Sequence, residues 1–378
     1  MPPPPRPVPT DPRCQSAADR QRRRRALPRA LIIAPLLLLG CPRRQVLAAT
    51  APLTLTGKVC AEPGDRPVTH AFVGVNGVGT VADAAGAYTI GVPSAARLFV
   101  EADAQGYQSD GAFTVSGPGD APLTGRVGFS FCGSAGLHSG FSSADGRVRL
   151  TPFVTVRPAA ATGLTIGGLS AIPLEANAAV TRPDGRAELI PLTRRGAAFG
   201  LTLPLVSGPG RYVLEINAAT GFAALKTAFF RGPYVPPAPP PRYVGDPPGS
   251  AVETLRTVAL AGLNRYRAVA GLPPLRRDPR LDSDAQAHSD DIIAAGYLLR
   301  HAHIGSDGSD PGARVRLAGV PYRELAEDVG MGDSVQEVLV GLMDSPGHRW
   351  AILGNFALVG VGVQRQGNSL VLTADFVR

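Results

Sequence analysis

Three short segments in the last quarter of the chain carry side chains able to move protons or hold a metal ion. They are Ala302-His303-Ile304-Gly305-Ser306-Asp307-Gly308, Leu325-Ala326-Glu327-Asp328-Val329-Gly330 and Asp344-Ser345-Pro346-Gly347-His348-Arg349. Four of the six histidines follow residue 285, and Glu327 lies between the outermost of them. Imidazole titrates near neutrality and ligates metals when neutral. Histidines gathered with a carboxylate from separate segments therefore compose an acid/base or metal site rather than a packing core. His303 precedes a Gly/Ser/Asp turn, Glu327 stands at the mouth of a second loop, and His348 follows a sharp Pro-Gly turn that Trp350 anchors. Loops on a rigid scaffold are where function concentrates.

Neighbouring groups read differently. Alternation in an extended segment points His301 away from His303, leaving it solvated. His288 shares an apolar helix face with Leu281 and Ile292 and reads as a buried, hydrogen-bonded core residue. Ser345 heads the Pro-Gly turn, where serine is a local hydrogen-bonding residue. The sequence has no HExxH helix, no GxSxG elbow and no cysteine after Cys132, so those hydrolase and thiol patterns are missing.

The elements that must position these residues show a period of about 3.6. Val252, Leu255, Val258, Leu263, Tyr266 and Val269 form one stripe, ended by Gly271 and Pro273-Pro274. A second helix starts at Asp278-Pro279, a short third spans 313–317 after Asp310-Pro311, and a fourth follows a cap at Ser334. Strands over 359–363 and 370–376 close the chain.

In order, these pieces are Leu263-Asn264-Arg265-Tyr266-Arg267, Ala287-His288-Ser289-Asp290-Asp291, the His303 and Glu327 segments, SPGHR at 345–349 and the strand pair. That order resembles the bacterial branch of the CAP superfamily, the cysteine-rich secretory protein, antigen 5 and pathogenesis-related 1 group, over residues 251–378. The resemblance implies an α-β-α sandwich with a cleft lined by a His/Glu/Glu/His set. Carried over, that set is His303, Glu327 and His348, with Ser345 near the position of the second glutamate and Asp344 as its stand-in. In some members the two histidines hold a divalent metal such as zinc, which would make His303 and His348 the ligands here; no cofactor is otherwise required. Asp328 stands where asparagine is usual, and Leu372 and Ala374 replace an aromatic residue and a glutamine.

Residues 1–50 read as a leader. An arginine cluster, 22–25, precedes an apolar run over 30–40 that is too short to span a bilayer, the pattern of a secretory signal. Two cleavage points are open. Leu38-Leu39-Gly40-Cys41 resembles a lipoprotein box that would lipidate Cys41, whereas Val46-Leu47-Ala48-Ala49 suits an ordinary signal peptidase. Either implies a secreted or periplasmic, cell-envelope protein, anchored to a membrane in the first case. The leader's ten arginines and two aspartates account for the whole formal charge of +8. The remainder is neutral, and a nucleic-acid partner is rejected on that ground. Cys60 and Cys132 remain as a pair in an exported chain, and a disulfide closing about seventy residues would stabilise by roughly 4 kcal/mol.

Ahead of the α/β domain the period is two. Residues 51–132 alternate in short runs broken by Gly, Pro and Asp. This β-sandwich pattern resembles a carboxypeptidase-regulatory-like module through Asp83-Ala84-Ala85-Gly86-Ala87-Tyr88 and Ala104-Gln105-Gly106-Tyr107. Residues 133–233 read as a second, immunoglobulin-like sandwich, and His70 and His138 as solvated histidines of these β regions. Residues 234–250 are proline-rich and read as a semi-rigid polyproline spacer. The favoured function is binding of an extracellular or envelope ligand (lipid, peptide or glycan) in the His/Glu cleft. The alternatives are a metal-dependent, protease-like hydrolase using the same residues and a structural envelope protein whose cleft is idle.

Overall fold

A computed structural model describes residues 53–108, 113–247, 249–296 and 302–378. The leader, Cys41 and His301 lie outside the described residues. Among the described residues no helix is long and apolar enough to cross a membrane.

Residues 53–128 build two main sheets. Leu53–Lys58 lies between Gly125–Gly128, to which it is parallel, and the antiparallel Ala87–Val92. The other sheet runs in the order Val78–Val81, Phe72–Val75, Arg97–Asp103, Phe113–Ser116. Every second residue turns inward, so Leu53, Leu55, Val73, Val75, Leu98 and Val100 bury against one another and against Phe131. A disulfide joins Cys60 to Cys132, with Cα atoms 4.9 Å apart. His70 is exposed, but His138 is not solvated. Its strand pairs with Tyr107–Gln108, which brings Nδ1 to 3.2 Å from the Glu62 carboxylate.

Two further sheets follow. One has the order Val148–Leu150, Gly163–Ser170, Ala198–Pro204, Thr193–Arg195. The other has Val156–Arg157, Ala223–Arg231, Gly210–Ala218, Leu174–Thr181, Ala187–Pro191. Their shared core holds Ile166, Leu201, Leu203, Leu214, Ile216 and the stacked rings of Tyr212 and Phe229, 5.1 Å apart.

The proline-rich segment is irregular, as the missing N–H groups require, but it is bound on both sides rather than spanning open space. Pro240 accepts from Gly77 N, and Tyr243 packs edge-on to Phe99. Asp246 takes Val335 N and Arg365, and Gln336 donates to Arg242 O.

The C-terminal part is a three-layer α-β-α unit. Its sheet has the order Arg276–Arg277, Leu358–Gln366, Ser369–Val377, Leu325–Gly332. Val359, Val361, Val363, Leu370, Leu372, Ala374 and Phe376 face the helices Val252–Val269, Val335–Asp344 and Pro346–Ile352. The other face carries Pro279–Ala295 on Gly360 and Gly362; a Cβ on Gly362 would stand 2.1 Å from Ala285 O, so only glycine allows this approach. Two expectations are corrected. Ser345-Pro346-Gly347 is no sharp turn but the capped first turn of a helix, with Pro346 at its start and Ser345 accepting from His348 N. Glu327 sits on a strand, because Leu325–Gly332 pairs along its whole length with Ser369–Val377, overriding a sequence poor in β-branched residues.

Candidate functional site

Leu325–Gly332 is the edge strand of its sheet, and Glu327 projects from it toward the helix Pro279–Ala295. The Glu327 side chain is only 2% exposed and is met on several sides. His303 Nδ1 lies 2.9 Å from Oε1, Arg314 bonds Oε2, and His288 Nε2 stands 3.8 Å away while bonding Ala302 O at 2.7 Å. Burial works against the charge of Glu327. The His303 bond and the charges of His303, Arg314 and His288 outweigh it and hold the carboxyl below its ordinary pKa. Arg314, from the helix Pro311–Leu317, also donates to His303 O and Ser309 O, so one guanidinium fixes both loop and carboxylate. Beside Glu327, Asp375 is pushed well above the carboxylate range by burial and then by the charges of Glu327 and Asp284.

His348 is half-buried, and its Nδ1 has no hydrogen-bond partner within the protein. Burial, then the neighbouring His303, lowers its pKa from 6.5 to about 3, so it is neutral at pH 7. The turn that presents it is held from outside. Glu215, in the strand Gly210–Ala218, accepts from Ser345 Oγ at 3.0 Å and from Gly347 N at 3.1 Å. Asp344 forms an ion pair with Lys226, 2.5 Å apart, and lines the larger of the two cavities beside the histidines. The turn after that strand lies on His303, where a Cβ at Gly221 (φ +90°) would come within 2.3 Å of Cδ2. Phe222 packs with Ile292, Ala302, Val329 and Val371.

Two cavities flank the histidines. The larger, about 510 Å³, is lined by Phe99, Phe222, Val329 and Leu342 together with His303 and His348. The smaller, about 170 Å³, lies among Glu175, Glu215, Glu327, Asp328, His303 and His348. As a metal cage the set falls short. Among the described residues the only three His, Cys, Asp or Glu ligand atoms within 4.8 Å of one another belong to Cys60, Asp65 and Cys132, and the disulfide ties up two of these. Among the described residues, then, no third ligand atom stands at that spacing from both His303 and His348.

The model of the cysteine-rich secretory protein family, CAP, matches residues 260–376. This part of the chain is a CAP domain. No curated protein matches the sequence. Among solved structures, the chain is similar to an extracellular protein of Bacillus anthracis containing an SCP domain, at 17% identity and a TM-score of 0.30. That alignment covers 57% of this chain and 64% of the other, so the chain spans just under two thirds of that relative. It is also similar to an outer surface protein of Borrelia burgdorferi, at 18% identity and a TM-score of 0.29, over 32% of this chain and 90% of the other. A cysteine-rich secretory protein of Staphylococcus aureus aligns at 13% identity and a TM-score of 0.28, over 57% and 77%.

Within the CAP domain the structure thus joins His303 directly to Glu327, sets His348 on the same two cavities, and leaves Asp344 on a different partner. The residues that sequence reading missed lie on other elements. Arg314 is one of several arginines in its segment, with nothing local to single it out. Glu215 did leave a trace, as the sole charge in the buried run Tyr212-Val213-Leu214-Glu215-Ile216, where a carboxylate needs a partner.

Proposed function

We propose that the protein is exported and that its CAP cleft binds an extracellular or cell-envelope ligand without catalysing a reaction. The observation that carries this reading is the state of the two histidines. His303 is committed to Glu327, and His348, with an unpartnered Nδ1, opens on cavities large enough for a ligand. Ser345 supplies no nucleophile for His348, since its hydroxyl donates to Glu215 and accepts from the His348 backbone. The β-sheets that precede the proline-rich segment serve as two sandwiches, over 51–132 and 133–233, that carry the cleft and wall one side of it. The leader directs export, with either lipidation at Cys41 or ordinary cleavage before residue 51.

A thermal-shift screen of lipids, peptides and glycans on the mature full chain tests the cleft. A ligand that binds the native state raises the melting temperature. At least one class should do so for the unmutated protein and not for a His303→Ala, His348→Ala variant. No shift from any class removes the reading, and peptide hydrolysis lost in the double variant replaces it with the hydrolase.

A further inference from the structure

The smaller cavity has an unusual lining for its size. Glu175, Glu215 and Asn217 reach it from the β region, and Glu327, Asp328 and Trp350 from the CAP domain. It is walled by four carboxyl-bearing residues and two histidines, and among the described residues no Lys or Arg lines it. Arg314, which neutralises Glu327, is outside that lining, and Lys226 is paired with Asp344. Two buried acceptor atoms on this wall, Asp328 Oδ2 and Asn217 Oδ1, have no hydrogen-bond partner within the protein, and neither has His348 Nδ1. Asp328 is only 2% exposed. A buried acceptor left without a donor is costly, so several on one cavity call for a guest rich in donors. Burial raises the pKa of Glu175 and Glu215 and lifts that of Asp328 well above the carboxylate range, so a positive guest is what would draw these carboxyls into their charged form.

A bare metal ion does not suit this wall. Direct ligation at about 2.0–2.6 Å needs donor atoms crowded together, and these are not. An ammonium or guanidinium group reaches further, because its three or five N–H donors point outward to separated acceptors. Such a group is also attracted to an indole ring, and Trp350 is among the residues that line the cavity. About 170 Å³ corresponds to roughly five or six waters, room for the end of a lysine or arginine side chain. The larger cavity shares Glu215, Gly221, His303, Ser345 and His348 with it and offers apolar walls for the remainder of a ligand.

We propose that this cavity is the head-group pocket of the cleft, and that it binds an ammonium or guanidinium group through Asp328, Glu215 and Asn217, against Trp350. The proposal rests on the cleft being a ligand site and adds the charge and chemistry of what enters it. It also makes the pocket a joint product of two parts of the chain, since Glu215 and Asn217 lie outside the CAP domain.

Isothermal titration calorimetry on the mature full chain, at fixed ionic strength and pH 7, tests it with butylguanidinium, butylammonium, neutral 1-pentanol and a short peptide with one central arginine. Both cations should bind and pentanol should not. Asp328→Asn should weaken cation binding at least tenfold. Asn217→Ala, on the opposite wall, should weaken it several-fold and provides a second reading if the first variant folds poorly. A peptide binding at least tenfold tighter than butylguanidinium identifies a polypeptide source, and equal affinity identifies a free amine. Absence of cation binding, equal binding of pentanol, or unchanged affinity in both variants overturns the proposal. If the cations fail while another ligand still shifts the unmutated protein and not the double histidine variant, the pocket falls and the cleft reading stands.

Discussion

On one wall of the cleft Glu327 is surrounded by His303, Arg314 and His288, and its pKa lies below the ordinary carboxylate value in spite of burial. On the facing wall Glu215 is just as deeply buried but accepts from two neutral donors, Ser345 Oγ and Gly347 N. Burial raises its pKa although the charge of Lys226 opposes this. The first carboxylate is provided for by the CAP domain itself. The second is lent by a β-strand 130 residues earlier in the chain and holds the turn that presents His348. The CAP wall is therefore electrostatically self-sufficient, whereas the β wall depends on docking between parts of the chain that share no local sequence.

The sharpest way to break this contrast is Arg314→Met. It leaves the Glu327 carboxylate buried with one charged partner fewer, and breaking a buried pair costs about 3–5 kcal/mol. Urea unfolding of the full chain should show a loss of that size; under 1 kcal/mol would mean that His303 alone balances Glu327.

Glu215→Ala strips the acceptor from Ser345 and Gly347 and should cost about 1–3 kcal/mol. Glu215→Gln keeps an acceptor and should cost less. Equal losses in the two variants would show that the charge of Glu215, rather than its hydrogen bonds, holds the turn.

Acid titration of stability sharpens the comparison from the His348 side. With a folded pKa depressed from 6.5 to about 3, the unfolded chain binds the proton first. The His348 contribution to stability is whole above about pH 6.5 and is lost progressively as pH falls toward 3. His348→Asn should flatten that part of the profile; an unchanged slope would show that His348 is protonated as easily folded as unfolded.

The smallest expected effect is none. Zinc at neutral pH should leave the melting temperature unchanged, since among the described residues no third ligand atom stands at ligand spacing from His303 and His348. A rise that disappears in the double histidine variant would show that the two walls close around a metal.

Much of the α/β domain was legible in local sequence, because caps and periodicity act over a few residues. Asp278, Asp310 and Ser334 each cap the helix predicted from them, and Gly271 takes the left-handed conformation just past Val252–Val269. The alternating apolar residues of Leu358–Gln366 and Ser369–Val377 mark them as strands for the same reason. The order of the His303, Glu327 and SPGHR segments also marked the cleft. Only tertiary structure made Leu325–Gly332 a strand, since its partner supplies the hydrogen bonds that its own residues do not favour. Tertiary structure likewise chose Arg314 among many arginines and brought Glu215, Asn217 and Gly221 against the histidines. Those contacts join residues far apart in sequence, where burial and charge complementarity across a docked surface decide the partner and no local period records it.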